Sequence, residues 1–223
     1  MKVTLTHMTD SPVAAIEEAA CNCYNSTPTN GKIMKACYSS GHHSVLEFAN
    51  FTFHIEGVSR ALLAQLTRHR HAGYAVRSQR YCAENEFEYV VPPTIKSNSE
   101  MEERYHKLMR EIADWYSEAQ ACGIPNEDAR YALPNACYTS LEFTCNGREL
   151  IHIMNERLCT RAQWEIRQLC LLMKAEVEKV CPQFAEYLVP KCEKYGKDKA
   201  FCIERASCGR HPTLKNLLVD KNN

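Results

Sequence analysis

The segment FANFTFHIE, residues 48–56, decides the fold class, because apolar and polar residues alternate along it from Ala49 onward. One face of the extended chain holds four apolar side chains, Ala49, Phe51, Phe53 and Ile55. The other face holds the polar residues between them. Successive side chains of a strand point to opposite faces, so this pattern predicts a half-buried strand with one face in a core.

The segments on both sides of this strand predict mainly helices. Alternation predicts two further strands, at residues 2–6 and 137–145. Helical spacing and end signals predict helices at residues 12–24, 59–67, 100–122, 147–158 and 162–181. Because the elements do not follow a βαβ rhythm, we predict the α+β class, with helices packed on a mainly antiparallel sheet.

Individual residues support three of these helices. Ser11 is a candidate N-cap with Pro12 at the first helical position, and Gly123 closes the long polar helix. The last helix has an apolar stripe at helical spacing, formed by Ile166, Leu169, Cys170, Met173, Val177 and Val180.

Composition and charge narrow the class of protein. The chain has 223 residues and a formal net charge of zero, with 27 basic and 27 acidic side chains. Proteins that bind nucleic acid through its phosphates usually have a basic excess, so we expect no nucleic-acid partner. No apolar run approaches the roughly 18 residues of a membrane span, and residues 1–12 lack the apolar stretch of a signal peptide. We therefore expect a cytoplasmic protein with no membrane contact.

Thirteen cysteines lie at irregular spacing between Cys21 and Cys208. An odd number of thiols cannot all pair with one another within one chain. In a cytoplasmic protein we expect mostly reduced thiols, most of them buried as small apolar side chains.

Residues 57–83 contain no Asp or Glu, and we call them the basic segment. They include five arginines and two histidines: Arg60, Arg68, His69, Arg70, His71, Arg77 and Arg80. A solvated basic surface usually mixes both signs of charge. A binding site for phosphate or another anion is therefore the better physical explanation, because the planar guanidinium group binds phosphate oxygens in pairs.

Spacing divides the basic segment into two parts. Arg68 and Arg70 lie two residues apart at the end of a predicted helix, where helical geometry would turn them about 200° apart, toward two ligands. Ser78 and Arg80 are also two residues apart. In an extended chain they would point to the same side and hold one phosphate together.

The run RHRHAGYAVRSQRY, residues 68–81, contains Arg-His-Arg, seven further residues and then Ser78. This arrangement resembles the signature of the flavin-dependent thymidylate synthases, including the Arg-Tyr pair that follows. Further segments resemble that family in the same order: GHHS at 41–44 with Glu47, GIP at 123–125, LP at 133–134, NGR at 146–148, NER at 155–157 and RAQWEI at 161–166. The resemblance implies that family's fold over residues 1–190. Residues 191–223 would form a Cys-rich C-terminal tail of unknown role.

The resemblance implies an enzyme that methylates dUMP to dTMP. FAD would be the cofactor, NADPH the reductant and methylenetetrahydrofolate the carbon donor. The reduced flavin would deliver a hydride, and no cysteine would attack the uracil. The family is a homotetramer with active sites shared between subunits, so the implied partners are dUMP, folate, NADPH and further copies of the chain.

The resemblance also implies site residues. Flavin contacts are implied for His42, Ser44, Arg68, His69, Arg70, Asn146, Arg148 and His152. Contacts to dUMP are implied for Gln65, Arg68, Ser78, Gln79, Arg80, Arg130 and Arg157. Arg157 is the implied catalytic residue, because a fixed positive charge beside the uracil ring stabilises the negative charge that develops there. No metal is expected among these residues.

Some of these residues also have simpler explanations. Arg157 continues the apolar face of its predicted helix, and an internal carboxylate would satisfy it. Arg130 has two acidic neighbours and fits an ordinary surface. Ser44 and Glu47 fit a helix capping box, which is compatible with a role for Ser44 in ligand binding.

The chain departs from the family pattern at three positions within the basic segment. Gly73 stands where Ser is common, and Ala75 and Val76 stand where more polar residues occur. Any ligand contact at Val76 would have to use the backbone.

Two other functions remain open at this stage. A thymidylate synthase with a cysteine nucleophile would need a thiol near the arginines, and Cys82 is the one that lies there. A zinc-stapled module that binds nucleic acid or another anion would use Cys192, Cys202, Cys208 and His211 in the tail, although no Cys-x-x-Cys pair is present there.

Overall fold

The computed structural model describes residues 1–219. Its strands are β1 (Lys2–Met8), β2 (Asn50–Ser59), β3 (Ala72–Val76) and β4 (Tyr138–Asn146). Its helices are α1 (Pro12–Tyr24), α2 (Lys32–Ser39), α3 (Arg60–Leu66), α4 (Pro93–Lys96), α5 (Ser99–Ala121), α6 (Asn126–Ala129), α7 (Gly147–Arg157), α8 (Trp164–Val180), α9 (Pro182–Ala185) and α10 (Leu214–Val219). Short 3₁₀ helices lie at His43–Phe48, Arg130–Ala132, Lys191–Glu193 and Lys197–Lys199.

The four strands that the structure describes form one antiparallel sheet in the order β1-β2-β4-β3. The alternation in the sequence fixes which side chains face the core. Phe51, Phe53 and Ile55 of β2 are fully buried, and Leu141 and Phe143 of β4 are buried as well. The predicted α+β class, with helices on a mainly antiparallel sheet, is confirmed.

The predicted helices agree with the observed ones to within a few residues. Ser11 stands at the N-cap of α1 with Pro12 at its start, and α5 ends just before Gly123, whose φ of +83° is left-handed. The sequence did not predict β3 or α2. β3 is five residues long and half-exposed, so its sequence AGYAV has no polar and apolar alternation to reveal it.

The start of α2 depends on a carboxylate from α1. Glu17 is buried, and its carboxylate accepts the backbone N–H groups of Thr29 at 2.7 Å, Gly31 at 2.8 Å and Ile33 at 2.8 Å. Burial raises the pKa of Glu17, but hydrogen bonds from Thr29, Met34 and Ile33 outweigh it, so the pKa lies below its ordinary value. A negative charge thus satisfies the N–H groups at the start of α2.

The chain divides into two compact units. Unit 1 comprises residues 1–2, 55–68 and 74–142, and unit 2 comprises residues 3–54, 69–73 and 143 onward. In unit 1, Phe87, Met109 and Cys137 form a buried cluster. In unit 2, Phe51 packs on Phe184 with ring centroids 4.9 Å apart. Each unit therefore has a core of its own.

Two details of the core differ from the predictions. Val180, at the end of the α8 stripe, is 53% exposed, whereas the five earlier members from Ile166 to Val177 are fully buried. The stripe stops at Val177 because α8 ends at Val180 and the chain turns at Cys181. All thirteen cysteines lie within the described residues and are free thiols, but only six of them are buried. The prediction that most are buried was wrong.

Within residues 1–219, no helix combines the length and the apolar character needed to cross a bilayer. The tail up to residue 219 is part of unit 2 and has little regular structure: two 3₁₀ turns, α10 and an isolated bridge between Cys202 and Thr213. A division between residues 190 and 191 stays a prediction.

Candidate active site

The centre of the candidate site in unit 2 is a hydrogen bond between Arg157 and His69. Arg157 is the last residue of α7, and its Nε donates to Nε2 of His69 over 3.0 Å. His69 lies two residues beyond the C-cap of α3, in the basic segment. One partner of this inward-pointing arginine is thus a ring nitrogen, whereas the simpler explanation required an internal carboxylate.

His69 is a neutral imidazole in this arrangement. It is 6% exposed, and burial, followed by the charge of Arg157 and by His152, lowers its pKa to about 4. Because Nε2 accepts from Arg157, the ring proton belongs on Nδ1. Nδ1 lies 3.6 Å from Oε1 of Glu149, so a carboxylate stands close to that proton, just beyond hydrogen-bond distance.

Helix α7 provides the other residues around this pair. Glu149 is buried in the first turn of α7. His152 stands three residues later, about one turn further along, and its ring makes edge contact with that of His69, with the ring centroids 5.7 Å apart. Asn146 is the N-cap, and its side chain accepts the backbone N–H of Glu149 at 2.9 Å. Three predicted flavin residues, His69, Asn146 and His152, therefore lie on or beside α7.

Arg148 connects α7 to the 3₁₀ helix His43–Phe48. Its Nη1 lies 2.6 Å from Oε1 of Glu47. The predicted flavin residues His42 and Ser44 are exposed at the start of that 3₁₀ helix. The predicted capping box is wrong: no side chain caps this helix, and Glu47 pairs with Arg148 instead.

Unit 1 contains the predicted dUMP residues other than Arg157, and two arginines of this unit have acidic partners. Arg77 Nε donates to Glu84 at 3.2 Å, and Arg80 donates through Nε and Nη2 to Glu127 at 3.0 and 2.9 Å. The side chains of Arg80 and Glu127 are each about half exposed. The basic segment itself contains no acid, but the fold brings Glu84 and Glu127 against two of its arginines. The expectation that the arginine charges have no acid to offset them is therefore wrong for Arg77 and Arg80.

Ser78 and Arg80 meet through a turn and not through an extended chain. Ser78 Oγ accepts the backbone N–H of Arg80 at 3.2 Å, and Ser78 O accepts that of Cys82 at 3.0 Å. The extended geometry expected for this pair is therefore wrong, because β3 ends at Val76 and the chain folds back on itself. The turn still places the serine hydroxyl beside the arginine backbone.

Further predicted dUMP residues of unit 1 have contacts within that unit. Gln79 Nε2 lies 3.6 Å from the buried Cys137 sulfur, and Gln65 Nε2 donates to Ala61 O at 3.3 Å. Arg130 Nε donates to the backbone oxygen of Glu127 at 3.1 Å. Arg80 and Arg130 thus meet at one residue of α6.

The basic segment also contains arginines without acidic partners. Arg68 and Arg70 are exposed, and within residues 1–219 no ion pair joins either guanidinium group to a carboxylate. Arg60 donates through Nη2 to Arg77 O at 2.8 Å, while its buried Nε has no partner among the described residues. Burial lowers the pKa of Arg60. Anion-binding capacity therefore remains at Arg68 and Arg70.

The residues predicted to bind dUMP and those predicted to bind the flavin lie mostly in different units. Of the dUMP residues, all but Arg157 belong to unit 1, and of the flavin residues, all but Arg68 belong to unit 2. The structure brings His69, His152 and Arg157 together in unit 2. It brings Ser78, Arg80 and Arg130 to one neighbourhood in unit 1.

A tight contact explains the departure from the family pattern at Gly73. A Cβ atom at this position would lie 2.9 Å from Cγ2 of Thr144 on β4. Thr144 is held by hydrogen bonds to Thr52 Oγ1 at 2.9 Å and Phe51 O at 3.3 Å. Ala75 is exposed and Val76 half-buried on β3.

Sequence reasoning missed Glu149 and the pairing of Glu47 with Arg148. Glu149 stands four residues before Ile153, which places an acid on the apolar face of α7. That unusual position, like that of Arg157, signals a buried polar contact. His69, Glu149 and His152 also offer donor atoms within 4.8 Å of one another, so they are able to hold a metal ion.

Comparison with known proteins assigns the chain to a family. A family model described as "Thymidylate synthase complementing protein" matches residues 4–183. The flavin-dependent thymidylate synthase of Clostridium tetani is 36% identical over 98% of this chain and 97% of its own length. That of Geobacter sulfurreducens is 41% identical over 86% and 88%, and that of Nitratidesulfovibrio vulgaris is 38% identical over 84% and 79%.

The chain is therefore an enzyme of the thymidylate synthase class. It belongs to the flavin-dependent thymidylate synthase family, as the run of residues 68–81 predicted.

Proposed function

We propose that the chain converts dUMP to dTMP, with FAD as cofactor, methylenetetrahydrofolate as carbon donor and NADPH as reductant. The proposal rests on the hydrogen bond between Arg157 and His69. That contact joins a residue implied to face the uracil ring to a residue implied to face the flavin. It therefore supports a site in which the two ligands lie side by side.

The residues of unit 2 fit a dinucleotide cofactor. FAD has two phosphates and a ring system that needs both hydrogen-bond donors and an apolar surface. Arg70 offers an exposed guanidinium group without an acidic partner among residues 1–219, and Arg148 offers another, which would exchange Glu47 for phosphate. We propose that these cations, with Arg68, hold the phosphates. His42, Ser44, His69, Asn146 and His152 would line the rest of the cofactor.

When bound, FAD would supply the hydride that completes the methyl group. The protein's own contribution is electrostatic. The hydrogen bond from Arg157 to His69 fixes the plane of the guanidinium group and holds its charge in one place. A fixed charge of this kind stabilises negative charge on the uracil ring as C5 becomes nucleophilic, and it needs no reorganisation during the reaction.

In unit 1, Arg80 is the proposed phosphate ligand of dUMP, with Ser78, Gln79 and Arg130 beside it. Arg80 now donates twice to one oxygen of Glu127, and a phosphate oxygen offers the same geometry with more negative charge. We propose that dUMP displaces Glu127 from Arg80. Gln65 and Arg68 would complete the contacts.

We also propose a homotetramer with active sites shared between subunits, located in the cytoplasm. Free thiols throughout the described residues are compatible with a reducing compartment. Light scattering of the eluting protein at several concentrations measures the assembly, and a mass of one chain would contradict the proposal.

The visible spectrum of the purified protein tests the proposal. We expect a yellow protein whose flavin absorption shifts when dUMP is added. Formation of dTMP should require methylenetetrahydrofolate and NADPH together. A protein that stays colourless with added FAD and does not bind dUMP would contradict it. Cys82→Ala should keep its activity, whereas complete loss with normal flavin binding would indicate a cysteine nucleophile.

A further inference from the structure

Four cysteines and a histidine line a small cavity at the base of the C-terminal tail. The cavity measures about 20 Å³ and is bordered by Cys159, Cys192, Cys202, Cys208 and His211. A space of this size holds one water-sized particle or one ion, and not a multinuclear cluster. All five residues belong to unit 2, and none belongs to the site around Arg157 and His69.

Backbone hydrogen bonds bring three of these residues together from distant parts of the tail. Phe201 N donates to Cys192 O at 3.1 Å, and Cys202 N donates to Pro212 O at 2.8 Å. Cys202 also forms an isolated bridge with Thr213. As a result, Cys192, Cys202 and His211 meet although as many as 19 positions separate them in the chain.

Three donor atoms at this cavity are close enough for a common ion, and two of them belong to Cys192 and His211, which line it. The ligand atoms of Cys192, Glu193 and His211 lie within 4.8 Å of one another, and His211 Nε2 lies 3.1 Å from Glu193 Oε1. Cys208 precedes His211 by three residues. Its sulfur faces the hydroxyl of Thr160 and the backbone N–H of Arg210, which are hydrogen-bond donors suited to a thiolate.

Apart from ion pairs and a few backbone hydrogen bonds, the described part of the tail has little to hold it together. Its regular structure amounts to short turns and α10, and Ile203 and Tyr195 are exposed. A segment of about 30 residues cannot bury a sufficient core of its own, and such segments usually need a disulfide or a metal ion. The thiols are free, and the family model ends at residue 183, before four of the five residues.

We propose that this cavity is a structural zinc site with three thiolate ligands and one imidazole ligand. His211 supplies the nitrogen and Cys192 one sulfur. Two of Cys159, Cys202 and Cys208 supply the other two. Mixed thiolate and imidazole donors around a one-ion cavity match the preferences of Zn²⁺. The site is independent of the proposed flavin chemistry.

The position of Cys159 gives this site a consequence for the enzyme. Cys159 lies in the loop between α7 and α8, two residues after Arg157. The tail is already anchored there by ion pairs: Lys191 Nζ with Glu156 at 3.7 Å and with Glu204, and Arg161 with Glu204 at 3.6 Å. Zinc would fasten the tail to the loop that follows the proposed catalytic residue.

Metal analysis of the untagged, full-length protein from zinc-supplemented cells tests the proposal. We expect about one zinc per chain, as a closed structural site requires. X-ray absorption at the zinc edge should show sulfur at about 2.3 Å and nitrogen at about 2.0 Å in a three-to-one ratio. Cys192→Ser and His211→Ala should each lose most of the zinc, whereas Cys122→Ser, an exposed cysteine outside the cavity, should keep it.

Replacing zinc with Co²⁺ covers the case in which a variant fails to fold. The flavin absorption of the zinc protein is subtracted from the spectrum of the cobalt protein. The difference spectrum of the wild-type protein should then show the intense visible bands of tetrahedral cobalt and a thiolate charge-transfer band. Protein without zinc, or zinc bound through oxygen only, would overturn the proposal, as would iron in its place. Zinc content is measured separately from colour and dUMP binding, so failure of this proposal is distinguishable from failure of the proposed enzyme activity.

Discussion

Nε of Arg157 lies 3.0 Å from Nε2 of His69 and donates a hydrogen bond to it. The two residues are 88 positions apart in the chain, at the end of α7 and just after α3. This contact requires a neutral imidazole, because a protonated ring has no lone pair to accept with. Protonation of His69 at acidic pH should therefore break this hydrogen bond.

The first prediction concerns stability between neutral and acidic pH. The pKa of His69 is about 4 in the folded chain, against about 6.5 when unfolded. The unfolded chain binds more protons in this window, so the contribution is complete above pH 6.5 and is lost as pH falls toward 4. The loss should reach about 3 kcal/mol. Urea unfolding at stepped pH values measures it.

Two variants make this measurement specific. His69→Gln should remove most of the pH-dependent loss, while His7→Gln, at an exposed position on β1, should retain it. Equal pH dependence in all three proteins would show that His69 is not buried as a neutral ring.

The second prediction concerns Arg157. Arg157→Lys keeps a positive charge but loses the planar Nε donor that fixes the side chain against His69. We expect kcat to fall by about 10²–10³, while flavin content and the KM for dUMP change little. Steady-state assays of dTMP formation measure both constants. Arg110→Lys on α5 is the control, and a large KM effect with unchanged kcat would assign Arg157 to binding alone.

The third prediction concerns the competition between Glu127 and dUMP for Arg80. The ion pair is half exposed, so its loss should change stability by less than about 1 kcal/mol. Glu127→Gln should free Arg80 and tighten dUMP binding by up to about fivefold, since such a pair is worth at most about 1 kcal/mol. Arg80→Ala should weaken dUMP binding and leave the flavin in place. Asp128→Asn, at the next residue, should do neither.

Calorimetric titration of dUMP into each variant measures these affinities. Weaker binding by Glu127→Gln would mean that Glu127 positions Arg80 for the nucleotide and does not compete with it.

The fourth prediction concerns the contact between Gly73 and Thr144. Gly73→Ala should destabilise the fold by about 1–3 kcal/mol, because the new Cβ meets Cγ2 of Thr144 at 2.9 Å. Thr144→Ser removes that methyl group and keeps the hydroxyl. The double variant should therefore recover most of the lost stability. Additive effects in this double-mutant cycle would rule out the contact as the cause.

The fifth prediction concerns Glu17. Glu17→Gln should cost about 2 kcal/mol at neutral pH, because an amide cannot accept all the N–H groups that the carboxylate accepts. The pKa of Glu17 is lowered in the fold, so its contribution is present above the unfolded pKa near 4.5 and is lost as pH falls below it. Thermal unfolding should show the two proteins converging in acid. The exposed neighbour Glu18→Gln is the control, and an equal effect there would contradict the prediction.

Local signals in the sequence were sufficient for most of the elements. The alternation of residues 49–56 predicted β2, and the stripe from Ile166 to Val177 predicted α8, because side-chain periodicity reports directly on the local backbone. Two elements without a periodic pattern of apolar residues were not predicted. β3 is short and half-exposed, and α2 depends on the carboxylate of Glu17 from α1. The residues of the candidate site came mainly from the resemblance to a family, not from periodicity.

The sequence by itself determined the fold class, the helix ends marked by Ser11, Pro12 and Gly123, and the family. The tertiary structure alone decided the partners of the charged side chains: His69 for Arg157, Glu127 for Arg80 and Glu47 for Arg148. It also decided that the cysteines of the tail line one cavity with Cys159. The physical reason is the distance along the chain between the residues that interact. Secondary structure follows from neighbours three or four residues away, whereas these contacts join positions from 47 to 101 residues apart and exist only once the chain has packed.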